Sequence, residues 1–201
     1  GLLLLGWFAY LWFTPIPAPY QYQLISEGDS KKFPQMDLDA WPDLKLSQYK
    51  VQAEGIDKPI AELIVAQQGD GPRVLTYWKN STNEILYNLD RKPSELSALA
   101  AVIGKHAPKD ALILSWWDTS RQIKLLTGHD TLFTSHLNEP LMVPVAWLEQ
   151  SKAIMAYENQ FWESSANSKE QEQFKRFSQA LAASAEEGVA QLRELIGSNR
   201  E

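Results

Sequence analysis

Ala111-Leu112-Ile113-Leu114-Ser115-Trp116-Trp117-Asp118 (ALILSWWD) is the stretch whose reading decides the fold. Its first five residues are apolar and tolerant of extended backbone, and Pro108-Lys109-Asp110 punctuates their start. They read as a core strand of an α/β layer, buried on both faces. Thr119-Ser120 then offers cap hydroxyls, and Ser120–Thr127 carries Ile123, Leu125 and Leu126 before Gly128 stops it, which predicts a short helix. Asp118 is therefore expected in the strand-to-helix turn, capping that helix beside its positive end. Open α/β sheets bind ligands at this edge. Trp116, Trp117, Asp118, Arg121 and His129 are accordingly the candidate ligand-binding residues. The competing reading makes them structural, with the two indoles packed on opposite faces of the strand and Asp118 a simple cap.

Working upstream, Tyr20–Ser26, Tyr49–Ala53, Ile60–Ala66 and Arg73–Trp78 read as strands, with Glu84–Asp90 as a fifth. Gln68-Gly69-Asp70-Gly71-Pro72 is a hairpin turn between the third and fourth. This half is an antiparallel meander. Pro93-Ser94-Glu95 opens a helix whose apolar positions Leu96, Leu99, Ala100 and Ile103 keep helical spacing. With the strand at 111–115, the short helix and Thr131–Thr134, it makes an αβαβ unit with parallel pairing. Downstream, Pro144–Trp162 is amphipathic, and Ser168 with Gln171 forms a capping box for a last helix interrupted near Gly188. These two helices, joined by 163–168, are expected to form a hairpin packed on the domain.

The N-terminus has a different character. Gly1–Phe13 (GLLLLGWFAYLWF) holds no charge and no proline, and Trp7, Tyr10, Trp12 and Phe13 crowd its second half as interfacial aromatics do. Thirteen residues are fewer than a helical span needs, so the reading is the end of a longer transmembrane anchor. Thr14–Pro19 (TPIPAP) then makes a stiff extended exit. The expected organisation is an anchor at 1–14, an α/β (α+β) domain at 15–143 and a helical hairpin at 144–201.

The composition excludes several chemistries. There is no cysteine, hence no disulfide framework, thiol catalysis, cysteine-ligated cluster or C-x-x-C-H haem attachment. The three histidines, His106, His129 and His136, have no metal-ligand spacing, and no phosphate-loop, dinucleotide or nucleophile-elbow motif is present. No cofactor and no metal are expected. A net charge of −6 argues against nucleic acid. What remains is work by contact, with Trp12, Tyr20, Phe33 and Trp41 as candidate partner-binding aromatics near the exit from the anchor. The alternative for Phe33 and Trp41 is that they pin a long loop onto the core.

Two resemblances add to this reading. Ser115-Trp116-Trp117-Asp118 resembles the S-W-W-D-Y-G signature of oligosaccharyltransferase catalytic subunits, where it helps recognise the acceptor's Ser or Thr. Thr119-Ser120 stands where that family has Tyr-Gly, so the resemblance implies at most some peptide or small-ligand contact. Lys92–Leu96 (KPSEL), Ala111–Phe133 and His136–Val145 (HLNEPLMVPV) resemble the hydroxylamine oxidation protein family HaoB. That resemblance implies a bacterial, inner-membrane protein with one anchor and a periplasmic domain. It would be a non-catalytic accessory to ammonia or hydroxylamine oxidation, with membrane lipid and ammonia monooxygenase or hydroxylamine oxidoreductase as partners. It assigns no catalytic residue. A ligand-binding module or a hydrolase or transferase at the Trp-Trp-Asp edge are the alternatives.

Overall fold

The computed structural model describes residues 17–82, 92–137, 143–163 and 166–197. Strands β1 (Tyr20–Gly28), β2 (Leu44–Ala53), β3 (Ala61–Gln68) and β4 (Val74–Asn80) form one antiparallel sheet in chain order. The meander is therefore present as expected, its third turn opened by Gly69 at φ 54°. The fold is mixed α+β. The fifth strand expected at Glu84–Asp90 and the apolar Gly1–Phe13 lie outside the described residues. Among the described residues no helix is long and apolar enough to cross a membrane.

The strand buried on both faces is β3, not residues 111–115. Ala61, Leu63 and Val65 point to one face and Ile64 and Ala66 to the other, all at 3% exposure or less. The first face packs with Val51 under Trp162 and Phe161 of α3 (Ser151–Trp162). The second packs with Leu44 and Leu46 under α1 (Pro93–His106), α2 (Trp117–Thr127) and the loop between β1 and β2, whose Phe33, Met36 and Leu38 are fully interior. At roughly 25 cal/mol per Å² of apolar surface, a strand sandwiched this way anchors both layers.

Residues 111–115 form less than predicted. Only Leu112–Ile113 is strand (β5), half-buried, and it pairs in parallel with β6 (Asp130–Thr131) as a separate two-stranded sheet. The parallel pairing expected of the αβαβ unit is present, but its two strands are not part of the main sheet, which the unit meets through its helices. The helix after it begins three residues earlier than its cap hydroxyls suggest. Trp116 is the N-cap, Ser120 N–H donates to the Trp116 carbonyl at 2.8 Å, and Ser120 is spent on Ser115. The two indoles are thus helix-start neighbours and not opposite faces of a strand. Asp118 lies in the first turn, two residues past the N-cap, where the helix dipole favours its charge. Gly128 ends the helix at φ 73°, as its position requires.

The C-terminal region also departs from the expected hairpin. Val145–Gln150 is a 3-10 turn leading into α3, which covers the sheet. Asn167, not Ser168, caps α4 (Ser168–Ala182) by accepting from Glu170 N–H at 3.0 Å. The hairpin is α4 with α5 (Ala185–Gly197), broken at Ala183-Ser184, and Gly188 lets the two backbones meet. A Cβ there would lie 2.4 Å from the Ala180 carbonyl oxygen. This hairpin shares a third core with Trp117, Leu132 and Phe133.

Candidate functional site

The expected ligand-binding residues divide between a cleft and the interior. A cleft of about 510 Å³ opens between β4, α1 and the start of α2, with Trp116, Asp118, Thr119, Gln122, Tyr77 and Leu96 among its walls. Trp116 is 40% exposed and meets Phe174 edge-on. Trp117 turns the other way, 2% exposed, stacked on Phe133 at 4.8 Å and edge-on to Phe174. Its indole N–H has no hydrogen-bond partner. Arg121 and His129 are buried as well, the two ring nitrogens of His129 without a hydrogen bond. Only Trp116 and Asp118 of the five line the cleft.

Arg121 and Gln122 instead close an edge of the sheet. Among the described residues β4 is the last strand of the sheet, and the carbonyls of Arg73, just before it, and of Leu75 within it accept from Arg121 Nη2 at 2.5 Å and Gln122 Nε2 at 2.7 Å. Covering an edge with fixed side-chain donors removes the template that unpaired strands offer to other chains. Arg73 itself donates from Nη1 to the Phe161 carbonyl at 2.7 Å, at the C-terminal end of α3 where a cation is favoured.

From Arg121 a polar chain runs through the core. Nη1 lies 3.3 Å from His136 Nδ1, and the guanidinium faces the Trp162 ring at 5.8 Å. His136 stacks on Trp162 at 4.8 Å and presents Nε2 to Glu158 Oε2 at 3.7 Å, beyond hydrogen-bond range. Glu158 accepts from the hydroxyls of Tyr20 and Tyr22, the latter at 2.8 Å, and from Trp162 Nε1 at 2.6 Å. Burial, helped by the Arg121 charge, pushes the His136 imidazole down to about 3. It is therefore neutral at pH 7. With Arg121 donating to Nδ1, the tautomer assigned by the network carries its proton on Nε2, toward Glu158. Burial likewise brings Arg121 down to about 10 against the opposing charges of Asp118 and Glu170, leaving it cationic. Burial first, and the Glu158 charge second, raise the Tyr20 and Tyr22 hydroxyls far above the phenol range, so both stay donors.

This network was missed in the sequence. Its one local trace is the alternation Tyr20-Gln21-Tyr22, which places both phenols on one side of β1. Tyr20 thus belongs to the interior network as well as to the exit. Phe33 is core, and Trp41 donates from Nε1 to the Leu126 carbonyl at 2.6 Å, pinning the 29–43 segment to the end of α2. Trp12 lies outside the described residues. Among the described residues no group of three His, Asp or Glu side chains gathers to hold a metal ion.

A family model described as the HaoA-associated protein HaoB matches residues 1–201. The chain belongs to the HaoB family. No curated protein and no solved structure matches it. For this HaoB family member, then, the fold offers a cleft bearing Trp116 and Asp118, and a polar interior in which His136 and Arg121 are held by hydrogen bonds and ring stacking. The interior arrangement fixes β1, β4, α2 and α3 to one another.

Proposed function

We propose that this chain is a membrane-anchored accessory subunit of hydroxylamine oxidation, acting by contact with HaoA, the hydroxylamine oxidoreductase, and doing no chemistry itself. The observation that carries the reading is the match of residues 1–201 to the HaoA-associated family. The burial of Arg121, Trp117 and His129 supports it, since three of the five candidate site residues are committed to the fold. Uncharged Gly1–Phe13 is the anchor in the inner membrane, with the domain on the periplasmic side. Membrane lipid is then a partner, and ammonia monooxygenase is a second enzyme within lateral reach.

The test is capture of the full chain from detergent-solubilised membranes, with HaoA detected in the eluate, alongside hydroxylamine turnover by the chain alone. HaoA is expected to co-elute and the chain alone to leave hydroxylamine unchanged. Turnover by the isolated chain would overturn the non-catalytic role. A second reading rests on the cleft at Trp116 and Asp118, which is large enough for a peptide side chain or small ligand.

A further inference from the structure

We infer that one end of the sheet, built from the β2–β3 turn and the Val145–Gln150 turn, rests on the bilayer as a second membrane contact beside the anchor. The inference depends on the anchor reading of Gly1–Phe13 and adds the face of the domain that meets lipid.

The geometry of the exit decides which end this is. Pro19 O accepts from Glu54 N–H at 2.9 Å, and Tyr20 pairs with Ala53, so the first described residues sit at the corner formed by the β2–β3 turn. Only Thr14–Pro19 intervenes, which reaches about 20 Å when fully extended. Whatever apolar surface lies at this corner is tethered within that distance of the end of the anchor.

The cleft at this corner is mostly apolar, although the turn beside it carries exposed Glu54, Asp57 and Lys58. A cleft of about 310 Å³ opens there, walled by Tyr20, Ile56, Ile60, Trp78, Pro144 and Trp147. Around it Val145 is 85% exposed, Leu148 54% and Ile56 47%. Tyr20 and Trp147 lie ring to ring at 5.5 Å. Exposed aliphatics with a Trp–Tyr pair are what the headgroup boundary favours. The charges nearby in sequence, Glu54, Asp57, Lys58, Glu149 and Lys152, are of both signs, so no anionic lipid is called for. The opposite end of the sheet is closed by Phe33, Met36 and Leu38 packing with Leu44, Ala66 and Ala100.

The absence of cysteine makes the test direct. Val145→Cys and Ile56→Cys, with Val102→Cys on α1 and Val189→Cys on α5 as references, are spin-labelled in the full chain in phosphatidylcholine nanodiscs. Collision with oxygen, which partitions into lipid, is compared with collision with a water-soluble nickel chelate. Labels at 145 and 56 are expected to favour oxygen, with the ratio reversed at 102 and 189. Labels at 145 and 56 as aqueous as that at 189, in protein that stays with the nanodisc through a carbonate wash, would overturn the inference and leave the anchor intact. Protein released by the wash would remove the anchor reading, and the inference with it.

Discussion

The Tyr22 hydroxyl, on the first strand, donates to the Glu158 carboxylate, on the third helix, at 2.8 Å across 136 residues of chain. That contact joins the edge of the sheet nearest the apolar N-terminal segment to the helix covering it. Tyr20 and Trp162 supply the other donors, so the carboxylate accepts three hydrogen bonds inside the fold. Glu158→Ala leaves three donors without their acceptor and is expected to cost about 3 kcal/mol or more. Tyr22→Phe removes one charge-assisted bond and is expected to cost about 1.5–3 kcal/mol. Urea midpoints check both, and a change below about 0.5 kcal/mol for Glu158→Ala would contradict the network.

His136 sets a pH dependence. Its folded value, about 3, lies below the unfolded imidazole value of about 6.5, so between these pH values the unfolded chain binds the extra proton. The contribution to stability is complete above pH ~6.5 and falls as pH drops toward ~3, by at most about 1.4 kcal/mol per unit. Between pH ~6.5 and ~4.5, above most carboxylate titrations, His136→Gln should flatten the stability curve. Equal slopes in the two proteins would show that His136 is not held neutral.

Trp116 and Trp117 are adjacent but energetically unlike. Trp117 is 2% exposed in the core with Phe133 and Phe174, and Trp117→Ala should cost about 3–5 kcal/mol. Trp116 is 40% exposed, and Trp116→Ala should cost less than half as much. Asp118→Asn, in the first turn of the same helix, should change stability by less than ~1 kcal/mol. Thermal unfolding of the three variants separates these effects.

Gly188 offers a test of sign. In an open helix Gly→Ala stabilises by about 1 kcal/mol. Here the added Cβ would strike the Ala180 carbonyl oxygen at 2.4 Å, so Gly188→Ala should destabilise by about 1–3 kcal/mol. A stabilised variant would mean that the last two helices do not pack this closely.

The meander was legible because alternation and a Gly-Asp-Gly-Pro turn are local signals, and so was the stop at Gly128. Which apolar run sits in the middle was not. Ile60–Ala66 and Ala111–Ser115 look alike as sequence, and only pairing on both sides of β3 distinguishes them. The start of α2 is not legible because Ser120 resembles a cap, whereas its hydroxyl is taken by Ser115. Of the candidate site, Trp116 and Asp118 read as a strand edge, whereas both belong to the start of α2 and wall the cleft from there. Arg121–His136–Glu158 was not legible, since contacts from strand to distant helix leave no spacing to read. For the same reason the sequence left Phe33 and Trp41 with two readings, partner contact or a loop pinned on the core, and the packing of Phe33 and the bond from Trp41 to Leu126 fit the second.

Association with HaoA is the central claim, and native mass spectrometry of the full chain in detergent, mixed with purified hydroxylamine oxidoreductase, tests it most directly. A complex of fixed stoichiometry that survives dilution and carries both masses is the predicted result. Two separate mass series at every ratio, from a chain whose unfolding transition shows it intact, would contradict it.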